Sequence, residues 1–330
     1  MTNAFEAPRV AYGSEPTAFI PAAVPQSSGT IRRNLDDLIL HLPRTSEAVA
    51  TVCAKKLVQA GLVTPHLVAL FLNRQDRSSL VILSEDVSIS SDTLHRFARS
   101  GSPLMARAIA ARHDLTEDAI SLLLARKDPV IDHILAEQSG VDLSVAALEV
   151  LARRAVDHPA LAKSVLSRSD LTPVMRAALF VHASPRQRIE ILAVANALGT
   201  SKPHLLVGSR IDDIRLAIET GNAPALTECL AILHGVPYDV LYRLLGETSG
   251  ALLALALIAA ETPVHLIKKA CLSSSFRRIG MPGGVDDVLE TTHTGAARWI
   301  MAAHAKMVAP VKQPVASNAR NLQEVERLIA

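Results

Sequence analysis

A repeat of 28 residues constrains what this chain can fold into more than any other feature. Asp86-Val87-Ser88, Asp114-Leu115-Thr116, Asp142-Leu143-Ser144 and Asp170-Leu171-Thr172 open four blocks, each starting 28 positions after the last. Every block follows one plan: an Asp/hydroxyl opening, an apolar-periodic stretch, a break ending in Pro, and a second apolar stretch. A period of roughly 20–50 residues marks one supersecondary unit that cannot bury its apolar face alone and must stack on its neighbours. The two apolar stretches read as a short αα-hairpin, so the period predicts a stacked array of such hairpins.

Local chemistry agrees. The hydroxyl of each opening is an N-cap candidate, and Thr116 is followed by Glu117 and Asp118, whose carboxylates suit the positive end of a helix dipole. The breaks are Ser102-Pro103, Asp128-Pro129, His158-Pro159 and Ser184-Pro185. Proline fixes φ and lacks an N–H, so it suits the first turn of a helix and not its interior. Composition supports helix-on-helix packing: 49% of residues are hydrophobic but only 3% aromatic, with Ala and Leu dominant.

Around the repeats the chain organises as four segments. Residues 1–29, with Pro8, Pro16, Pro21 and Pro25 and no apolar period, read as a disordered leader. Residues 30–197 read as the repeat array, with leading helices near 30–42, 45–60 and 65–73. Past residue 198, where Leu198-Gly199-Thr200 replaces the Asp opening, helices are expected near 202–208, 210–220, 223–234, 237–246, 249–260 and 263–272. One long helix over 286–309 completes a C-terminal helical lobe that continues the array. Residues 310–330 read as a linker and short terminal helix, with Leu322, Val325, Leu328 and Ile329 at helical spacing. The apolar run Ala251–Ala260 is too short to span a bilayer and reads as a buried core helix.

The capped hairpins with Pro opening the second helix resemble HEAT-like helical repeats. More narrowly, the blocks Asp86–Ala197 and the segment Gly221–Leu272 are similar to an uncharacterised alphaproteobacterial family of HEAT-like proteins, over roughly residues 30–300. That resemblance implies an all-α solenoid and carries no catalytic residues to map. A 28-residue unit is shorter than an ordinary HEAT repeat, so short helices or partly 3₁₀ second helices are expected.

Motifs for chemistry are sparse. There is no His-Glu-x-x-His, Cys-x-x-Cys, Gly-x-Ser-x-Gly or Walker loop, and Cys53, Cys229 and Cys271 are far apart. They read as reduced core thiols of a cytoplasmic protein. His133 lies four before Glu137, which reads as a local pair and not a ligand set. No cofactor, metal or catalytic constellation is expected. The glycines of Arg277-Arg278-Ile279-Gly280-Met281-Pro282-Gly283-Gly284 make it a candidate anion-binding loop.

The remaining signal is a basic edge. Arg99, Arg126, Lys127 and Arg154 close the first helices of successive blocks, and Arg112 and Arg168 hold equivalent positions two periods apart. Two roles are open to them: anchoring a partner, or stabilising helix C-termini. The expected function is a non-enzymatic scaffold that binds a protein partner along the repeat surface. Phosphate-backbone binding to nucleic acid is the alternative; equal numbers of acidic and basic residues between Asp86 and Ala197 disfavour it.

Overall fold

The structure is a computed structural model that describes residues 28–86, 88–199, 208–246, 249–273 and 285–309. Among them every regular element is helical, with nineteen α-helices, two 3₁₀ turns and no strand. The leader 1–27, most of the expected 202–208 helix, the loop through Gly284 and residues 310–330 lie outside the described residues. The chain divides into two compact units, Met1–Ala147 and Leu148–Ala330.

The first unit contains α1 (Ser28–His41), α2 (Glu47–Gln59), α3 (Pro65–Arg74), α4 (Arg77–Glu85), α5 (Ser91–Ser100), α6 (Pro103–Ala110), α7 (Glu117–Ala125) and α8 (Pro129–Glu137). It ends within α9 (Val145–Ala155). Helix α4 has no counterpart in the sequence reading; its cap, Asp76, accepts from the Ser78 N–H at 2.9 Å. Helix α3 pairs with α4, α5 with α6, and α7 with α8. The pairs stack: α2 packs on α4, α4 on α6 and α6 on α8, while α5 packs on α7. Each helix contributes one buried stripe, such as Leu94 and Ala98 on α5 and Ala119, Ile120, Leu123 and Leu124 on α7. Each fully buried Leu or Ile side chain contributes about 1.5–3 kcal/mol, which offsets the ordering of such short helices.

Most expected caps are present. Thr116 accepts from the Ala119 N–H, Ser144 from Ala147 and Thr172 from Met175, each at 3.3 Å. The first block differs. Asp86 Oδ1 accepts from both the N–H and the hydroxyl of Ser88, so that hydroxyl is engaged before a helix can begin. Ser90, two residues on, caps α5 instead. All four prolines occupy the first helical turn, and Ser184 forms a full capping box with Gln187.

The second unit holds the remainder of α9, α10 (Pro159–Leu166), α11 (Pro173–Ala178), α12 (Pro185–Leu198), α13 (Gly208–Thr220), α14 (Ala223–His234) and α15 (Tyr238–Leu245). It continues through α16 (Ala251–Ala259), α17 (Val264–Leu272), α18 (Val285–Thr291) and α19 (Thr294–Val308). The 3₁₀ turn of this unit, Phe180–His182, follows α11, the first helix of its block, where the sequence reading expected 3₁₀ geometry in second helices. Every residue of α16 is buried, because a helix apolar on all sides has no face to give to water. Helix α19 packs against α16 and also reaches α11 and α12. The expected long helix over 286–309 is two helices: Thr292 and His293 break it, and His293 Nδ1 accepts from the Ala296 N–H at 3.1 Å to cap α19. No described helix is long and apolar enough to cross a membrane.

Candidate partner-binding groove

The basic edge separates into two groups. Arg112 and Arg168 are only 2% and 5% exposed. Arg112 Nη1 donates to the carbonyls of Leu83 and Asp86, 2.9 and 2.8 Å away. Its Nε and Nη2 grip Asp114 at 2.7 and 2.6 Å. One guanidinium therefore satisfies carbonyls at the end of α4 and fixes the opening Asp of its own block. Arg168 grips Asp170 through the same fork, and Arg74 donates from Nε to Asp76 and from Nη1 and Nη2 to the carbonyls of Leu42 and Thr45. Hydrogen bonds from these arginines hold the Asp114 and Asp170 carboxyls below the usual carboxylate range, against the opposing effect of partial burial.

Arg126 has a comparable structural task. Half-buried, it donates from Nη1 to the carbonyls of Ala98 and Arg99 and from Nη2 to that of Gly101, at 3.1, 3.0 and 2.8 Å. The C-terminal end of α7 is thus fastened to that of α5. These are carbonyls a helix cannot satisfy internally. Arg154 is half-buried in the second unit. Arg277, Arg278, Gly280, Gly283 and Gly284 lie outside the described residues.

Arg99 and Lys127 remain at the surface. Lys127 holds a left-handed backbone, φ 55°, directly after the Arg126 clamp. Neither side chain has a partner among the described residues.

Arg99 lines an open groove of about 570 Å³ between α5 and α7. His95, Arg96, Arg99 and Ser100 of α5 form one wall, and Asp118, Ser121 and Leu122 of α7 the other. Helical periodicity explains the set. With Leu94 and Ala98 turned to the core, positions 95, 96, 99 and 100 form one contiguous side face. On α7, positions 118, 121 and 122 do the same beside the buried Ala119, Ile120 and Leu123. His95 Nε2 lies 3.1 Å from the hydroxyl of Thr116, the cap of α7, which ties this wall to the start of the next hairpin. The Arg96 guanidinium rests over the Phe97 ring, 5.0 Å from its centroid, and has no acidic partner among the described residues.

His95, Arg96, Ser121 and Leu122 were not singled out from sequence, and Asp118 was read only as a carboxylate at a helix N-terminus. The available signal was the i, i+1, i+4, i+5 spacing of residues 95, 96, 99 and 100, combined with the period that sets α7 beside α5. A second cavity, about 250 Å³, lies within the second unit against Leu166, Pro173, Ile191 and Val194. Its arginine, Arg176, donates to the backbone carbonyl of Arg168 at 2.8 Å and is committed within the fold. Among the described residues no three His, Cys, Asp or Glu side chains converge to hold a metal ion.

The fold and the groove define an all-helical protein whose first unit is built of stacked hairpins with a polar surface channel between two of them. Residues 78–203 match the model of a family described as an uncharacterised protein conserved in bacteria, DUF2336. No curated protein and no solved structure matches the chain.

Proposed function

We propose that this protein is a non-enzymatic scaffold that binds a protein partner, with the α5/α7 groove as its docking surface and Arg99 as a polar anchor. The hairpins are read as HEAT-like units of the alphaproteobacterial family the sequence resembles, working in the cytoplasm. One observation supports the groove above the rest of the basic edge. Arg107, Arg112 and Arg126 of this unit are all engaged inside the fold, whereas Arg96 and Arg99 face a channel with no acid paired to them. Arginine is enriched where interfaces concentrate their binding energy, because one fork both stacks and donates several hydrogen bonds.

The test is a photo-crosslinking residue placed at Ser121, on the groove wall, in the full chain in its native cells. A discrete crosslinked protein that disappears with Arg99→Glu is the expected result. Crosslinks that are absent, or indifferent to that charge reversal, would defeat the reading.

A further inference from the structure

We propose that the α5/α7 groove selects an acidic peptide segment, one with two carboxylates about a helical turn apart beside an apolar side chain. This inference rests on the docking reading above and adds the chemistry of the partner.

The groove is electrically polar along its length. Both helices begin with acids, Asp92 on α5 and Glu117 and Asp118 on α7. Both end with bases, Arg99 on α5 and Arg126 followed by Lys127 on α7. The hydrogen bonds from Arg126 to the carbonyls of Ala98, Arg99 and Gly101 set the two basic ends side by side. Arg96 and Arg99 stand three apart on α5, so their Cβ atoms are separated by about 5–6 Å. That separation suits two Asp or Glu side chains one turn apart on a helix. Each carboxylate would accept two parallel N–H bonds from one guanidinium fork, the strongest pairing available to it. Half-buried Leu122 on the facing wall offers the apolar contact.

The lining carries two positive side chains, Arg96 and Arg99, and one negative, Asp118. Two carboxylates opposite the arginines neutralise them, and Asp118 remains to repel charge at the other end. A uniform polyanion is the poorer fit. A nucleic-acid backbone repeats a negative charge every few ångströms and would carry it across Asp92, Glu117 and Asp118. The same acids set direction: a peptide with a basic residue beyond its acidic pair gains at the Asp118 end only when it lies one way round.

Fluorescence anisotropy on the full chain provides the test, with four labelled probes. Three are alanine-rich helical dodecapeptides bearing a leucine and a pair of side chains one turn apart: glutamates, lysines or phosphoserines. The fourth is a short DNA duplex. The glutamate peptide is expected to bind and the lysine peptide not to. Arg96→Glu with Arg99→Glu should weaken the glutamate peptide by roughly tenfold or more and create binding of the lysine peptide. Misfolding cannot produce that exchange of preference, since it only removes binding. Equal binding of the glutamate and lysine peptides, or no binding of either, overturns the proposal, as does indifference to the double reversal. Tighter binding of phosphoserine than of glutamate assigns the groove to phosphoryl groups and overturns it too, and preference for the duplex moves it to nucleic acid. The crosslink at Ser121 separates the two levels. If a partner sensitive to Arg99→Glu is captured there while the glutamate peptide fails, only the acidic class is lost. If both experiments fail, the docking surface itself is lost.

Discussion

Arg112 and Asp114, two residues apart, meet through two parallel hydrogen bonds of 2.7 and 2.6 Å, while the remaining nitrogen of the same guanidinium reaches back 29 and 26 residues to the carbonyls of Leu83 and Asp86. The fork welds the end of one hairpin to the opening of the next. Arg168 repeats the two-pronged grip on Asp170, and Arg74 repeats the reach to two carbonyls, those of Leu42 and Thr45, while donating to Asp76 through Nε.

Arg112→Lys should therefore destabilise the first unit by about 2 kcal/mol. An ammonium cannot hold a carboxylate bidentately and serve two carbonyls at once. Arg112→Ala should cost about 3 kcal/mol, since it leaves buried acceptors without a donor. Asp114→Asn should cost less, because Asp114 is half exposed. The Asp114 carboxyl titrates below its ordinary range in the folded protein. Its contribution is thus complete above the ordinary Asp pKa and is lost as pH falls through the lowered folded value. Urea unfolding of the three variants at neutral and acidic pH checks the order, and an Arg112→Lys midpoint equal to the parent's would refute the weld.

The period places Gly140 midway between Arg112 and Arg168, 28 residues from each, so the third block lacks the fork although Asp142 is present to receive it. Gly140 has no atom within 4 Å of where a Cβ would stand, and its φ is not in the left-handed region. Gly140→Arg is expected to restore the fork onto Asp142 and the carbonyls of Ala111 and Asp114, the positions 28 beyond Leu83 and Asp86. A gain of about 1 kcal/mol is anticipated. Thermal melts should show a higher midpoint for Gly140→Arg, and adding Asp142→Asn should take the gain away. No shift, or a lower midpoint, would mean that the register does not transfer.

His304 lies in the core of the second unit, 1% exposed, and neither ring nitrogen has a hydrogen-bond partner. Burial, with a smaller contribution from the charge of His182, pushes its pKa down to about 4. The unfolded chain therefore binds a proton that the folded chain refuses between about pH 6.5 and 4, and stability falls as pH falls through that window. The loss should reach about 2 kcal/mol at pH 5 and about 3 kcal/mol below pH 4, at 1.36 kcal/mol for each pKa unit. His304→Leu removes the proton site and an unsatisfied polar group together, and should flatten the dependence while leaving neutral-pH stability unchanged or higher. Denaturant midpoints at pH 7 and 5 decide it: a parent and variant with equal slopes between those pH values would exclude His304 as the cause.

Much of the fold was legible because its signals are local. Proline at a first turn, a hydroxyl two residues after an Asp, and apolar residues every three or four positions act within one turn of backbone. The breaks at Pro103, Pro129, Pro159 and Pro185 accordingly became helix starts where the spacing placed them. Local signals fell short where two competed and where a cap went unread, as Asp76 at the start of α4 did. At Ser88 the Asp86 carboxylate captured the capping hydroxyl, and at His293 an imidazole supplied a cap that helical spacing alone did not reveal.

What each arginine does was not legible in this way. Sequence alone placed Arg99 and Arg126 at the ends of first helices and Arg112 and Arg168 at equivalent positions two periods apart, which is a statement about backbone position. Whether a guanidinium on a long, flexible stem meets water or a carbonyl depends on where a helix end some 25–29 residues earlier comes to rest. Only the stacking of hairpins settles that distance. It buried Arg112 and Arg168, committed Arg126 to the end of α5, and left Arg96 and Arg99 facing the open groove.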